Sequence, residues 1–303
     1  MSDVDPEAAE IEASRAPLLD HLIELRRRLI VSIAAIFVGF VICFFFATPL
    51  LEFLLHPFKI ATQLLAIRQA NHAEGFDLAG LLTGAKNMIL ALIGVLQLPP
   101  PKGQVTGLIA TAPLEVFFTK VKLAAFGGLV LAFPLLAWQV YAFVAPGLYR
   151  RERKAFLPFL LAAPVLFAVG AAMVYYLILP CLLWFSYSQQ IVGTTGISVQ
   201  LMPKVEDYFG LVTTLVLCFG LFFQLPVVLT LLAMAGMVNA GMLFKGWRFA
   251  VAGIVVAAAI VTPPDPISMT LLALPIVALY FVSIGCVKLI ERKRARQDAA
   301  APV

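Results

Sequence analysis

The first long apolar stretch of the chain, residues 29–51, reads LIVSIAAIFVGFVICFFFATPLL and contains no charged residue. A membrane-spanning helix needs about 20 mostly apolar residues, so this stretch is long enough to cross a bilayer. Further charge-free stretches cover residues 123–149, 155–203, 208–244, 249–264 and 266–287. The pattern predicts that the membrane is the solvent for most of this sequence.

The composition of the 303 residues supports this interpretation. Hydrophobic residues make up 62% and charged residues 13%, against roughly 45–50% and about 25% in soluble domains. Such a composition excludes a water-soluble enzyme and a disordered chain. The net charge of +5 is concentrated beside apolar segments, which indicates membrane orientation rather than nucleic-acid binding.

Six helices follow from the way the longer stretches are divided. Polar or turn-rich segments interrupt two of them: SYSQQIVGTTG at 186–196 and GMVNAG at 236–241. We therefore predict an all-α membrane protein, with six transmembrane helices in one integral membrane domain, residues 1–303. The fifth span, residues 249–263, is only about 22 Å long. Because prolines bend helices, we expect a concave bundle, and the prolines inside the spans are Pro134, Pro164, Pro180, Pro226 and Pro275.

The distribution of basic residues predicts the orientation. With six spans both termini lie on one side, and that side carries 15 Lys and Arg residues against 7 on the other. The positive-inside rule places both termini in the cytoplasm. We expect residues 1–16 to form a flexible cytoplasmic tail and residues 288–303 a basic cytoplasmic tail. The acidic and polar residues 1–14 argue against a cleaved signal peptide.

Residues 52–112 are expected to form a long extracytoplasmic loop. Within it, residues 78–98 are apolar apart from Lys86 and Asn87 at the centre. A seventh span there would invert everything downstream, and a central lysine costs roughly 2.5–3.5 kcal/mol on insertion. We interpret this segment as an amphipathic insertion that rests on the outer face.

Two charged clusters at predicted helix entrances are candidate binding sites. In the first, His21, Glu24 and Arg28 fall on one helical face, and Glu24 and Arg28 form a favourable i,i+4 pair. In the second, Glu152 is the only carboxylate among the four bases of residues 149–154. Spacing alone leaves two alternatives open, a purely structural role in topology and ion pairing or a binding role.

Two polar positions near the later spans also stand out. Gln224 lies within the apolar run FFQLP, where an amide seeks a hydrogen-bond partner in this chain or on a partner helix. Asp265 lies among three prolines and is expected to cap the sixth helix.

Chemistry at a reactive centre is not expected. The four cysteines lie in apolar stretches without a CxxC pair, and there are three histidines, so we predict no metal site and no cofactor. The sequence contains no catalytic set and no phosphate loop, so we do not expect an enzyme. The lack of acidic residues at mid-span argues against a proton or ion pump.

Five strings in order along nearly the whole chain resemble TatC, the multispanning receptor subunit of the twin-arginine protein translocase. They are HLIELRRRL (21–29), APLEVFFTKVKL (112–123), PLLAWQVYAFVAPGLYRRER (134–153), FGLFFQLPVV (219–228) and TPPDPISMTLLALP (262–275).

The resemblance implies a receptor that binds signal peptides carrying two consecutive arginines at its cytoplasmic face. Glu24 and Glu152 match the two recognition carboxylates of the family, and a carboxylate pairs with an arginine fork in a way that lysine does not copy. Other positions similar to the family's binding site are His21, Leu25, Arg26, Phe143, Pro146 and Tyr149. Positions that resemble those of the extracytoplasmic cap are Pro57, Phe117, Phe118 and Asp265.

The resemblance also implies partners and an energy source. Single-span TatA- and TatB-type subunits are expected to pack near Gln224 and Met269, and folded proteins are expected to cross the bacterial inner membrane at the expense of the proton-motive force. Two positions depart from the family, because Gln224 replaces a glutamate and Met269 a glutamine of some relatives. Two other classes stay open from the residues alone, a secondary transporter for a small solute and a structural membrane subunit.

Overall fold

The structure, a computed structural model, describes residues 6–70, 78–96, 107–144, 150–189, 202–234, 236–261 and 266–299. Most of this part of the chain is helical. A π-helical segment, Val174–Ile178, joins the fifth and sixth α-helices. The α-helices are α1 (Pro6–Phe45), α2 (Ala47–Ala70), α3 (Leu78–Leu92), α4 (Glu115–Val144), α5 (Arg150–Met173), α6 (Leu179–Ser188), α7 (Val205–Phe222), α8 (Leu225–Met234), α9 (Ala240–Lys245), α10 (Trp247–Val261) and α11 (Pro266–Ala299).

Five helical stretches in the described part are long and apolar enough to cross a membrane. They are Leu22–Phe45, Glu115–Phe143, Leu161–Tyr187, Val205–Met234 and Met269–Arg292. The shorter apolar helix α10 has 15 residues, which agrees with the expectation of a short fifth span. The prediction of an all-helical membrane protein with six apolar helices is therefore confirmed.

The first apolar helix ends earlier than the charge-free stretch does. α1 ends at Phe45 and α2 begins at Ala47, although the apolar sequence continues to residue 51. Pro49 has no N–H to donate to the carbonyl of Phe45, which favours a break at this point. α1 begins at Pro6, although residues 1–16 are expected from the sequence to form a tail. Much of the expected extracytoplasmic loop, residues 52–112, is helical in α2 and α3.

Two of the prolines interrupt their helices in different ways. Before Pro180 the chain widens into the π-helical segment, in which the Leu179 N–H donates to the Val174 carbonyl five residues back. Before Pro226 the chain tightens instead, and the Gln224 N–H donates to the Leu221 carbonyl three residues back, at 2.9 Å. The prediction of proline-distorted spans is confirmed at both positions.

The chain divides into two compact units. The first consists of residues 1–45 and 124–164, and the second of residues 46–123 and 165–303. In the first unit the backbones of α1 and α4 come into direct contact. A Cβ atom built on Gly128 would lie 2.4 Å from the backbone nitrogen of Phe40. Close approach of this kind requires glycine, a common solution in membranes, where packing replaces the hydrophobic effect between helices.

The second unit has its own packed core. α8 and α10 pack against α11, while α2, α3 and α6 pack together. The α3 helix, which corresponds to the predicted amphipathic insertion, buries Met88 completely. Other fully buried side chains in this unit include Ile178, Leu179, Leu272 and Ile276.

A proline inside α2 is supported by two tyrosines from elsewhere in the second unit. Pro57 has no N–H, so the Phe53 carbonyl loses its usual donor. The Tyr175 hydroxyl donates to the Phe53 carbonyl at 2.9 Å, and the Tyr208 hydroxyl donates to the next carbonyl, that of Leu54, at 2.7 Å. The Tyr175 hydroxyl therefore replaces the donor that Pro57 lacks, and the Tyr208 hydroxyl supports the neighbouring carbonyl.

We expect Gly128→Ala to destabilise the protein by about 1–3 kcal/mol, because the added methyl group meets backbone rather than a movable side chain. Thermal unfolding of the detergent-solubilised protein measures this. Gly253→Ala on α10 is the control, because a Cβ there has no neighbour within 4 Å. Equal unfolding temperatures for the two variants would contradict the contact between α1 and α4.

We expect Tyr208→Phe to lower the free energy of unfolding by about 1–3 kcal/mol, because a buried backbone carbonyl loses its donor. The same unfolding assay applies, with Tyr176→Phe as control because the Tyr176 side chain is exposed. If both variants unfold alike, the Tyr208 hydroxyl does not support the helix at Pro57.

Candidate functional site

The antiparallel pairing of α1 and α4 positions the first charged cluster. The two helices touch at Gly39 and Gly128, and Arg28 Nη1 donates to Gln139 Oε1 at 3.4 Å. These contacts are 11 residues apart on both helices, so they share one register. The same register places Glu24 at the level of Phe143, close to the end of α4.

Glu24 forms the ion pair that its spacing predicts. Arg28 Nε donates to Glu24 Oε1 at 3.0 Å, and Nη2 of the same guanidinium contacts the same oxygen. Among the residues that the structure describes, Arg28 is the sole partner of Glu24. Because both contacts use Oε1, the second oxygen of the carboxylate has no partner within that part of the chain. A pair of this kind on a helix surface contributes only about 0.2–0.5 kcal/mol.

The other residues predicted around this site are only partly described. Leu25 and Arg26 are exposed, and Phe143 is half-buried at the end of α4. His21 and Glu152 belong to α1 and α5 by their backbones, but their side chains lie outside the described part. Pro146 and Tyr149 lie outside the described residues altogether. The described residues of the site belong to the first compact unit, as do residues 150–152.

The two positions predicted to contact a partner helix differ in burial. Gln224 lies at the break between α7 and α8 and is 8% exposed. Leu221 and Val228, on either side of it, are both exposed. Met269 is half-buried in the first turn of α11.

The predicted cap residues include one buried and two exposed side chains. Pro57 is buried within α2, at the position where the two tyrosine hydroxyls bind. Phe117 and Phe118 are exposed near the start of α4, with their ring centroids 5.7 Å apart in an edge-to-face arrangement. Asp265 lies outside the described residues, although α11 begins at the next residue, Pro266, which is favoured at a first helical position.

Sequence reasoning did not single out Glu115, which connects two distant segments. Its Oε2 accepts from the Thr111 backbone N–H at 2.5 Å and from the Ala112 N–H at 3.2 Å. Its Oε1 accepts from the Glu206 N–H at the start of α7, at 3.2 Å. A backbone bridge between Ile109 and Lys204 runs beside these bonds. An acidic residue in the first turn of a helix is a signal for local capping, but not for the second segment.

Sequence reasoning also missed how α9 is held against α11. Glu291 Oε1 accepts from the Ala240 N–H at 2.8 Å, and the Tyr280 hydroxyl donates to the Leu243 carbonyl at 2.8 Å. The Asn239 side chain caps α9 by accepting from the Met242 N–H at 2.7 Å. The GMVNAG segment contained the signal for the Asn239 cap, but not for Glu291, 51 residues away.

Helices with apolar surfaces and charged groups near their ends define a multispanning integral membrane protein. Comparison with known proteins then gives the family. The model of the family described as Sec-independent protein translocase protein (TatC) matches residues 20–275. The chain therefore belongs to the TatC family, which confirms the resemblance and places it among the transport proteins of the translocase.

Named relatives and solved structures agree with this assignment. The Sec-independent protein translocase protein TatC of Magnetococcus marinus is 38% identical over 286 residues, covering 94% of this chain and 89% of the relative. That of Deinococcus radiodurans is 38% identical over 274 residues, covering 90% and 86%. A crystal structure of the twin-arginine translocase receptor TatC matches with a TM-score of 0.65 at 29% identity, covering 89% of this chain and 98% of that one. A second crystal structure, in the detergent DDM, gives a TM-score of 0.66.

Proposed function

We propose that this chain is the receptor and core subunit of a twin-arginine translocation system. In this role Glu24 and Glu152 bind the two arginines of a signal peptide at the cytoplasmic face of the bacterial inner membrane. The folded cargo protein then crosses at the expense of the proton-motive force. The observation that carries the proposal is the half-buried Glu24 carboxylate, which has one oxygen without a described partner and lies level with the end of α4.

The pairing of Glu24 with Arg28 is compatible with peptide binding. An incoming arginine has to replace an intramolecular contact, and that contact contributes only a few tenths of a kcal/mol. In return the peptide supplies a fork that can bind both carboxylate oxygens at once, whereas both Arg28 contacts use one oxygen. The exchange therefore favours the peptide, provided that a second carboxylate, Glu152, receives the other arginine.

The orientation that we propose places both termini in the cytoplasm. It is supported by the excess of Lys and Arg on the side of the termini, and that side includes Arg26, Arg27 and Arg28. The charges around Glu24 repel a dicationic peptide motif at long range. Specificity must therefore come from short, directional bonds to the two carboxylates rather than from net charge.

We further propose that TatA- and TatB-type single-span subunits contact the surfaces around Gln224 and Met269. Gln224 is mostly buried, so the contact includes the exposed Leu221 and Val228 beside it. A neutral amide at this position offers a hydrogen bond without a protonation step.

We expect a twin-arginine signal peptide to bind the purified, detergent-solubilised protein at least tenfold more tightly than the same peptide with both arginines changed to lysine. Glu24→Gln and Glu152→Gln should each remove this preference, because a hydrogen bond to a charged group contributes about 1.5–3 kcal/mol and 1.4 kcal/mol is tenfold in affinity. Titration with a fluorescent peptide measures this.

Glu52→Gln is the matched control for this titration, because Glu52 is an exposed carboxylate on α2 in the second unit. Equal affinity of both peptides for the unmodified protein would overturn the proposed function. Loss of the preference in Glu52→Gln would show that the assay responds to net charge alone.

We expect Arg28→Gln to tighten binding of the twin-arginine peptide by about twofold, because the peptide no longer has to displace the internal ion pair. Arg27→Gln controls for the loss of one positive charge, since Arg27 is exposed on the neighbouring position of α1. Weaker binding by Arg28→Gln than by Arg27→Gln would instead mean that Arg28 orients Glu24 for the peptide.

A further inference from the structure

A crevice with charged and apolar lining opens between the N-terminal parts of α4 and α7, within the second unit. Its volume is about 120 Å³. It is separate from the cluster at Glu24, and none of its residues belongs to the proposed peptide site. We call it the α4–α7 crevice, and the residues that define it are Thr119, Lys122, Leu123, Glu206, Phe209, Gly210 and Thr213.

An exposed ion pair lies at the mouth of the crevice. Lys122 Nζ contacts Glu206 Oε1, yet the two side chains are 66% and 54% exposed. An ion pair this exposed contributes little to stability, so both charges stay accessible to an outside partner. Lys120, which does not line the crevice, donates to the Thr48 hydroxyl at 3.1 Å. The crevice therefore presents one positive and one negative group side by side.

The candidate spans Glu115–Phe143 and Val205–Met234 begin where α4 and α7 begin, which puts the crevice close to the level where lipid headgroups meet acyl chains. Lys122 lies seven residues after Glu115, or about 10 Å along α4, and Thr213 lies eight residues after Val205, or about 12 Å along α7. The headgroup layer on each side of a bilayer is about 5–8 Å thick. Lys122 can extend its ammonium group back toward the surface, as long basic side chains do in membranes. The crevice thus begins in the headgroup layer and ends beside acyl chains.

The residues that line the crevice match the headgroup layer and the acyl chains. Near the mouth are the charges of Lys122 and Glu206, and deeper lies the aromatic ring of Phe209. The hydroxyls of Thr119 and Thr213 donate to backbone carbonyls of their own helices, at 2.8 and 2.7 Å. The groups that select a headgroup are therefore the charges of Lys122 and Glu206.

We propose that the α4–α7 crevice binds a phospholipid whose headgroup carries both a phosphate and a primary ammonium group. The phosphate pairs with Lys122, the ammonium pairs with Glu206, and an acyl chain lies against Phe209. An anionic headgroup without an amine leaves Glu206 unpaired and repelled. A quaternary ammonium has no N–H to donate. Phosphatidylethanolamine has the chemistry that this arrangement selects.

Gly210 provides a direct test, because a Cβ atom built on it has no neighbour within 4 Å. Gly210→Leu therefore adds a side chain at the wall of the crevice, and its Cβ has open space around it. Gly253→Leu on α10 is the matched control, since its Cβ also has no neighbour within 4 Å. Thermal unfolding of both variants checks that the fold is kept.

Native mass spectrometry of the full-length, delipidated protein in detergent measures binding of phosphatidylethanolamine, phosphatidylglycerol and phosphatidylcholine with identical acyl chains. We expect phosphatidylethanolamine to bind at least fivefold more tightly than the other two. Gly210→Leu should lose at least fivefold of this affinity, while Gly253→Leu keeps it. Equal binding of the three lipids, or an unchanged affinity in Gly210→Leu, would overturn the proposal.

Two charge variants test the roles of the ion pair even if Gly210→Leu does not fold. Lys122→Gln should weaken binding of every phosphate-bearing lipid, whereas Glu206→Gln should remove only the preference for the amine. The backbone N–H of Glu206, which donates to Glu115, is unchanged in Glu206→Gln. A final titration adds inorganic phosphate to the lipid complex. Retention of the lipid is expected, and its displacement by millimolar phosphate would assign the crevice to a free anion instead.

Discussion

Hydrocarbon supplies no hydrogen bonds, so every backbone N–H and carbonyl of this chain that lies in the membrane must find a partner within protein. The prolines show the effect of this constraint, because each one lacks the backbone N–H that donates a hydrogen bond in a helix. Inside the candidate spans the chain answers at Pro180 by a π-helical segment and at Pro226 by a tightened turn. At Pro57, which lies outside those spans, the Tyr175 hydroxyl donates to the carbonyl that lost its donor. The distortion at each proline therefore specifies a particular partner or backbone geometry, and the packing of the second unit follows from these choices.

The same constraint explains where charge is found. The described ion pairs and carboxylate caps lie near the ends of the apolar spans, as with Glu24 on α1, Glu206 on α7 and Glu291 on α11. Near an end, a charged side chain reaches water or headgroups, and its ion pair is weak enough to exchange partners. A receptor needs this property, since a binding group locked into a strong internal pair cannot bind a ligand. Glu115 differs, because its oxygens accept several backbone N–H groups and connect two segments.

What the sequence predicted is mainly local. The charge-free stretches predicted the spans, and the segment GMVNAG predicted the turn before α9. The spacing of Glu24 and Arg28 predicted their ion pair. The sequence did not predict the contacts between distant residues. The Tyr208 hydroxyl donates to the carbonyl of a residue 154 positions away, and Arg28 donates to Gln139, 111 positions away. Periodicity identifies an apolar or polar face but not the face that it meets, so the α4–α7 crevice and the support of Pro57 had no sequence signal. The binding roles proposed for Glu24 and Glu152 rest on the family resemblance, since spacing alone left a structural role open.

The first unit is built from two parts of the chain, residues 1–45 and 124–164, with about 80 residues between them. During synthesis, at roughly 5–20 residues per second, α1 enters the membrane several seconds before α4 exists. In that interval α1 has lipid alone around it, and large apolar side chains such as Ile30, Phe37 and Phe45 are exposed on its surface even in the finished protein. The apolar surface of α1 is therefore stable in the bilayer before α4 is synthesised. Once α4 inserts, its backbone at Gly128 packs against the α1 backbone at Gly39.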